Sequence, residues 1–225
     1  MRELLIVQTG TSHPDVVPRL GDNDDWFLDA LPPGRAGCDV VRPFLGDALP
    51  DPAPYRGLVL TGSPLGVRDA LPWMTALSRW SLDALHDGTP VLAVCFGHQL
   101  LGEGLGGRVE KNPNGLECGA VEVGLTEAGR ASPLFAGLEP TLVVQAMHND
   151  VLVKPPPGAT RLAGNANTTW QSFQWGPRLH AVQFHPEMRA RVVGALLEAR
   201  AWPGEVRASS DGQRILDNWW GMITG

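Results

Sequence analysis

Two short stretches hold residue types that could do covalent chemistry together. The first reads PVLAVCFGHQLLGEGLGG from Pro90 to Gly107. Val91 to Val94 form a short apolar run of the kind that makes a strand buried on both faces. The run stops at Cys95, and Gly97 opens a stretch with helical spacing, so Cys95 falls on a strand-to-helix turn. In an open parallel sheet such turns lie at the carboxyl ends of the strands, where ligands bind. The free N–H groups and positive dipole end of the following helix favour a thiolate, the nucleophilic form. A lone Cys ending an apolar strand is more often a small buried hydrophobe. Gly97 argues otherwise, because a glycine two residues after the Cys permits the sharp bend of a nucleophile elbow. Ala93 stands where many elbows have Gly.

A reactive Cys needs a base, and the chain has six histidines. His13 and His86 lie in surface-like segments, and His180 precedes an apolar strand and reads as structural. His98, one helical turn past Cys95, could reach the site, but nothing local orients it. His148, in MHND, ends a strand and competes for the role. His185 is favoured because it ends the strand RLHAVQF at the sheet edge expected for Cys95 and is followed by Pro186 and Glu187. Pro186 cannot continue a central ladder, so the chain turns there, and Glu187 can swing a carboxylate back to the imidazole. A nucleophile, a base and a group that holds the base make a triad. His-Pro-Glu alone would more often be a strand-ending turn; paired with an elbow Cys it becomes specific.

Alternating strands and helices must position these groups. Leu4–Val7, Cys38–Val41 and Arg56–Thr61 read as strands, and residues 14–31 as a helix or helical loop. The third strand runs into Gly62-Ser63-Pro64-Leu65-Gly66, a turn-forming loop that exposes backbone N–H groups and whose glycines allow more than one backbone arrangement. Pro72–His86 carries Trp73, Leu77, Trp80 and Leu85 at near-helical spacing. Gly102–Gly107 spells G-x-G-x-x-G, but it ends a helix where a dinucleotide motif would open one. From Val109 the texture becomes strand-rich, in VEKN, CGAVEVGL, LVVQAMH, RLAGN, TWQSFQW and RLHAVQF, which predicts partly antiparallel strands beside a parallel sheet. Residues 154–160 read as a connecting loop. Met188–Ala201 reads as an amphipathic helix and Asp211–Ile223 as a last helix capped by Asp211 and packed down by Trp219 and Trp220. The expected fold is α/β, with a doubly wound, mostly parallel, flavodoxin-like central sheet and additional partly antiparallel strands. The expected organisation is one domain over 1–225, with a helical extension at about 203–225.

Composition bounds the function. The chain has 225 residues, 43% hydrophobic and 19% charged, with a net charge of −6. That balance fits an ordinary globular protein and argues against a nucleic-acid surface. Cys38, Cys95 and Cys118 form no C-x-x-C pair, so neither a disulfide framework nor a structural zinc site is expected. A strand pattern begins at once in MRELLIVQTG, no signal peptide or membrane-length apolar run is read, and the expected location is the cytoplasm.

VCFGHQ, the later FHPE and the TGSP that ends the preceding strand together resemble the class I glutamine amidotransferases, the triad type with a Cys-His-Glu site. The likeness runs from LLIVQTG to FHPEM. The stretches GLECGAVEV and MHNDVLVKPPPGAT look most like the glutaminase domain of GMP synthase and its stand-alone relatives. The resemblance implies Cys95 as nucleophile, His185 as base and Glu187 as its orienter. It implies an oxyanion hole from the backbone N–H groups of Phe96 and of the Gly62-Ser63 loop. Gln99 would contact substrate, and the backbone around Asn149 and Asp150 would hold its amino-acid end. The family loop often has Gly where this chain has Ser63. The reaction implied is hydrolysis of glutamine to glutamate and ammonia through a γ-glutamyl thioester on Cys95, with no metal or cofactor. Too little chain follows Glu187 for the family's synthase domains, so the acceptor of ammonia is not read; the resemblance implies a glutaminase subunit or stand-alone amidotransferase feeding an unidentified partner, of which a synthase subunit is one form. A γ-glutamyl hydrolase or peptidase with the same triad is the alternative enzyme, and a non-catalytic binding or regulatory module the alternative of another class.

Overall fold

The structure is a computed structural model that describes residues 2–32 and 34–225. Its strands are β1 (Arg2–Val7), β2 (Cys38–Val41), β3 (Tyr55–Leu60), β4 (Val91–Val94), β5 (Arg108–Lys111), β6 (Glu117–Leu125), β7 (Thr141–His148), β8 (Asp150–Lys154), β9 (Thr160–Gly164), β10 (Ser172–Trp175) and β11 (Leu179–Val182). Its helices are α1 (Val17–Leu20), α2 (Asn23–Ala30), α3 (Pro72–His86), α4 (Phe96–Gly104), α5 (Glu127–Ala131), α6 (Ala190–Arg200) and α7 (Asp211–Thr224). Nine strands form one sheet in the order β2-β1-β3-β4-β11-β10-β9-β6-β7, and β5 pairs with β8 in a small separate sheet. From β2 to β11 every pairing is parallel; from β11 to β7 every pairing is antiparallel. The expected mixed α/β sheet is therefore present, and β11 is the strand where its two halves join.

The parallel half is covered on both faces, which is why its strands read as unbroken apolar runs. Side chains alternate across a strand. Leu4, Ile6, Val59, Leu92 and Val94 therefore pack against Phe27 of α2 and Ile215, Leu216 and Trp219 of α7. Leu5, Val7, Leu58, Leu60, Val91 and Ala93 pack on the other face, against Met74 and Leu77 of α3 and Leu100 and Leu101 of α4. Burying each such side chain contributes about 1.5–3 kcal/mol. Trp219 is wholly buried, and a Cβ on Gly57 of β3 would meet its ring at 3.1 Å. The C-terminal helix is thus a layer of the core.

Several boundaries differ from those expected. The helix or helical loop expected over 14–31 is two helices, parted at Gly21, whose φ of +80° suits glycine, with the second starting behind Asp22. Asp22 and Asp25 form a capping box there. α6 starts at Ala190, so Met188 stays in the preceding loop. Asp211 does not cap α7; it is the first helical residue, and its carboxylate accepts a hydrogen bond from the Val143 N–H of β7 at 2.7 Å. β8 lies in a stretch from which no strand was expected. The glycines of this G-x-G-x-x-G stretch serve packing and helix exit: a Cβ on Gly102 would meet Leu152 of β8 at 2.9 Å, and Gly106, at a spacer position of the motif, has φ +93°.

Candidate active site

Cys95 follows the last residue of β4 and precedes the first residue of α4, with φ +50° and ψ −98°. That backbone is strained for a non-glycine residue, and such strain persists only where the surroundings hold it. The Cys95 N–H donates to the Val182 carbonyl at 2.8 Å, which ties the turn to β11. Gly97 lets α4 press onto β3: a Cβ there would sit 2.8 Å from both the Cβ and the carbonyl oxygen of Leu60. The elbow expected from the sequence is thus present, with the glycine serving close approach of helix to strand.

His185 lies three residues beyond β11, and its backbone N–H donates to the Gln145 carbonyl at 2.7 Å. Its Nδ1 is 2.7 Å from Glu187 Oε1, and the Glu187 side chain has no exposure to solvent. That bond leaves Nε2 free of Glu187, and the Cys95 side chain acts on the ring through its charge. Burial alone would push the His185 pKa down; the negative charges of Glu187 and Cys95 outweigh it and raise the pKa to about 10. α7 supports the turn from below, since a Cβ on its Gly212 would come 2.5 Å from the Pro186 carbonyl oxygen.

The loop after β3 completes the arrangement. A Cβ on Gly62 would stand 2.6 Å from His185 Cε1 and 3.5 Å from Cys95 Cβ, so only glycine fits between loop and imidazole. The Gly62 carbonyl accepts from the hydroxyls of Thr9 at 3.0 Å and Thr61 at 2.9 Å. Ser63 Oγ donates to the Thr9 carbonyl at 2.9 Å and accepts from the Leu65 N–H at 3.1 Å. The flexible loop expected from its composition is instead tied down, and the serine supplies one of the ties. Phe96 is the first residue of α4, so its N–H lies outside the intrahelical ladder.

These groups open into one pocket of about 280 Å³, lined by Ser63, Cys95, Phe96, Gln99, Asn149, Asp150 and His185 among others. Gln99 Nε2 donates to the Asp150 carbonyl at 2.8 Å and to Gln183 Oε1 at 3.1 Å. Asp150 pairs with Arg68 at 3.0 Å, and the Asn149 carbonyl accepts from the Asn112 N–H at 2.7 Å. Their backbone is therefore fixed where the pocket needs it. Of the sequence candidates, Gly62 and Glu187 stand behind the lining residues. Among the described residues, no group of three or more His, Cys, Asp and Glu is arranged to hold a metal ion.

The other histidines sort by environment. His98 does not face the pocket: it is wholly buried, edge-on to Phe173 at 4.9 Å, and burial lowers its pKa to about 3. Burial likewise lowers His180 to about 4. His148 does line the pocket, and the argument that His185 alone has a carboxylate partner fails. His148 Nε2 lies 2.9 Å from Glu117 Oε2, directly across the β6–β7 ladder. Glu117 also accepts from Asn165, Thr168 and Gln171. Burial would raise the Glu117 pKa, and bonding to His148, Asn165 and Thr168 together with the His148 charge brings it below its ordinary value. What separates the two histidines is the sulfur, which enters the surroundings of His185. Sequence reasoning also missed Ser12, Asn23, Met188, Leu196, Arg200 and Trp202, which line the same pocket from distant segments.

Comparison with known proteins bears on this geometry. A family model described as Glutamine amidotransferase class-I matches residues 45–200. The chain is 32% identical over 179 residues to a GMP synthase (glutamine-hydrolyzing) of Aeropyrum pernix, a match that covers 80% of this chain and 29% of that protein. The chain thus spans less than a third of that synthase. Among solved structures, a glutamine amido transferase from Methylobacillus flagellatus shares the fold at a TM-score of 0.73 and 23% identity, covering 99% of this chain and 92% of that one. A glutamine amidotransferase from Thermotoga maritima does so at a TM-score of 0.72 and 23% identity, covering 89% and 83%.

Proposed function

Because the chain belongs to the class I glutamine amidotransferases, we propose that it hydrolyses the side-chain amide of glutamine through a γ-glutamyl thioester on Cys95. The observation that carries the reading is His185, held through Nδ1 by the buried Glu187 carboxylate at 2.7 Å and acted on by the charge of Cys95, a cysteine on a strained elbow. Cys95 Sγ attacks the amide carbon, and the carbonyl electrons move onto oxygen. The N–H groups of Phe96 and of the Gly62-Ser63 loop receive that oxyanion, each typically contributing about 3–4 kcal/mol. The His185 imidazolium gives its proton to nitrogen, and the C–N bond breaks to release ammonia. Water then attacks the thioester while His185 takes its proton, and C–S cleavage returns glutamate and Cys95. Glu187 holds the imidazole in the tautomer both steps require. Gln99 and the backbone at Asn149 and Asp150 hold the amino-acid end of the substrate. Residues 1–225 act as one catalytic domain, and the ammonia goes to a synthase partner.

The test is to incubate the chain with glutamine and hydroxylamine, which intercepts a thioester as γ-glutamyl hydroxamate. Hydroxamate and glutamate should form with the parent chain and vanish with Cys95→Ala. Brisk cleavage of γ-glutamyl peptides with glutamine a poor substrate would transfer the proposal to a γ-glutamyl hydrolase. A Cys95→Ala chain as active as its parent would refute both.

A further inference from the structure

The pocket at Cys95 extends past the groups just assigned. Leu196 and Arg200, one turn apart on α6, both border it, as does Trp202 beyond the helix end. Among the described residues, Arg200 is the one Lys or Arg that lines it. Its guanidinium lies over the Trp202 ring, 5.0 Å from the centroid. Among the described residues no carboxylate pairs with it, and burial alone holds its pKa below the ordinary value. The one carboxylate that lines the pocket among the described residues, Asp150, is already paired with Arg68. The uncompensated charge facing the cavity is therefore positive.

A basic residue in a last helical turn complements the helix dipole, and an Arg over an indole gains a cation–π contact. Both would be met equally well with the guanidinium in open water. Here it is half-buried against a cavity, where a cation loses hydration and gains no partner.

We infer that Arg200 forms an anion subsite of the substrate pocket and receives a carboxylate of a γ-glutamyl substrate, an inference that rests on the reading proposed above. The planar fork of Arg matches a carboxylate bidentately. That carboxylate has two sources: the α-carboxylate of the γ-glutamyl unit, or an acid group carried by the departing amine of a compound longer than glutamine.

Binding to the Cys95→Ala chain, measured by calorimetry, tests the subsite without turnover. The probes are L-glutamine against its α-amide, and γ-glutamylglycine against γ-glutamylmethylamide. In at least one pair the acid should bind about 10- to 100-fold more tightly than its neutral partner, as expected for a bond between charged groups. Arg200→Met should erase that ratio, and Arg200→Lys should keep part of it. Loss of the ratio in the first pair assigns the α-carboxylate; loss in the second assigns the departing amine. If neither pair is discriminated by the Cys95→Ala chain, or Arg200→Met leaves both ratios unchanged, the subsite is overturned while glutamine keeps its pocket. If none of the four compounds binds, the amidotransferase reading falls and the subsite with it.

Discussion

Gly62→Ala is the sharpest probe of the site, because the added atom meets the proposed base first and the Cβ of Cys95 next. The backbone of Gly62 lies outside the left-handed region, so alanine is conformationally permitted. Its Cβ would stand 2.6 Å from His185 Cε1. Carbon–carbon contact is comfortable from about 3.5 Å, so ring or loop must move by about 1 Å. Neither can move without loss. The ring is held by Glu187 at 2.7 Å, the His185 backbone by Gln145, and the Gly62 carbonyl by Thr9 and Thr61. A misplacement of about 1 Å in a reacting group costs on the order of 100-fold in rate. The expected result is a kcat for glutamate formation reduced about 100-fold, with Tm within about 3 °C of the parent. Gly97→Ala supplies the contrast, since its Cβ meets the Leu60 backbone oxygen at 2.8 Å. Overpacking there should cost about 1–3 kcal/mol and lower Tm by about 2–10 °C. A Gly62→Ala chain that kept its parent's rate within about threefold would show that His185 does not act from the position described.

Other outcomes follow from the same geometry. A glutamine-like electrophile should label Cys95 alone, because burial pushes the Cys38 thiol up to about 11 and burial beside Glu117 raises that of Cys118; peptide mass spectrometry showing label chiefly on Cys118 would refute this. His185→Ala should lower turnover at least about 100-fold, with Glu187→Gln milder. His148→Ala should instead destabilise by about 3–5 kcal/mol, because it leaves the buried Glu117 short of its charged partner. Severe loss of turnover in His148→Ala beside an active His185→Ala would reverse the assignment. The raised pKa of His185 sets a pH dependence. Its stabilising contribution is complete below the unfolded value near about 6.5 and is lost as pH rises through about 10. Unfolding free energy from denaturant titration should fall between those limits in the parent by up to about 1.4 kcal/mol per pH unit, and less steeply in Glu187→Gln. Equal slopes would count against the His185–Glu187 pairing.

The elbow and the His-Pro-Glu turn were legible because they are local: a four-residue apolar run, a glycine two places after the Cys, and a proline that forbids further pairing. The parallel strands were legible because burial on both faces leaves no polar interruption. What the sequence hid depends on contacts across long separations. Glu117 meets His148 through cross-strand register, so nothing near His148 announces its carboxylate. Asp211 reads as a helix cap by position, yet its oxygen goes to Val143, a strand sixty-odd residues earlier. The loop at Gly62 reads as flexible by composition and is held by Thr9, a residue on another strand's exit. Arg200 and Trp202 carry no pattern that sets them beside Cys95; only the path of α6 does.

The register Val94↔Val182 between β4 and β11 puts Cys95 and the chain leading to His185 on neighbouring strands in the middle of the nine-stranded sheet. Sheets fray from their edges, and here β2 and β7 are the edges. Fraying of β2 can therefore proceed while the separation of sulfur and imidazole is still enforced by a ladder with neighbours on both sides, whereas fraying of β7 would take Gln145 and its tie to the His185 N–H. Amides of β4 and β11 should be among the slowest to exchange with deuterium. Thermal loss of activity should then track the opening of β7 and not that of β2.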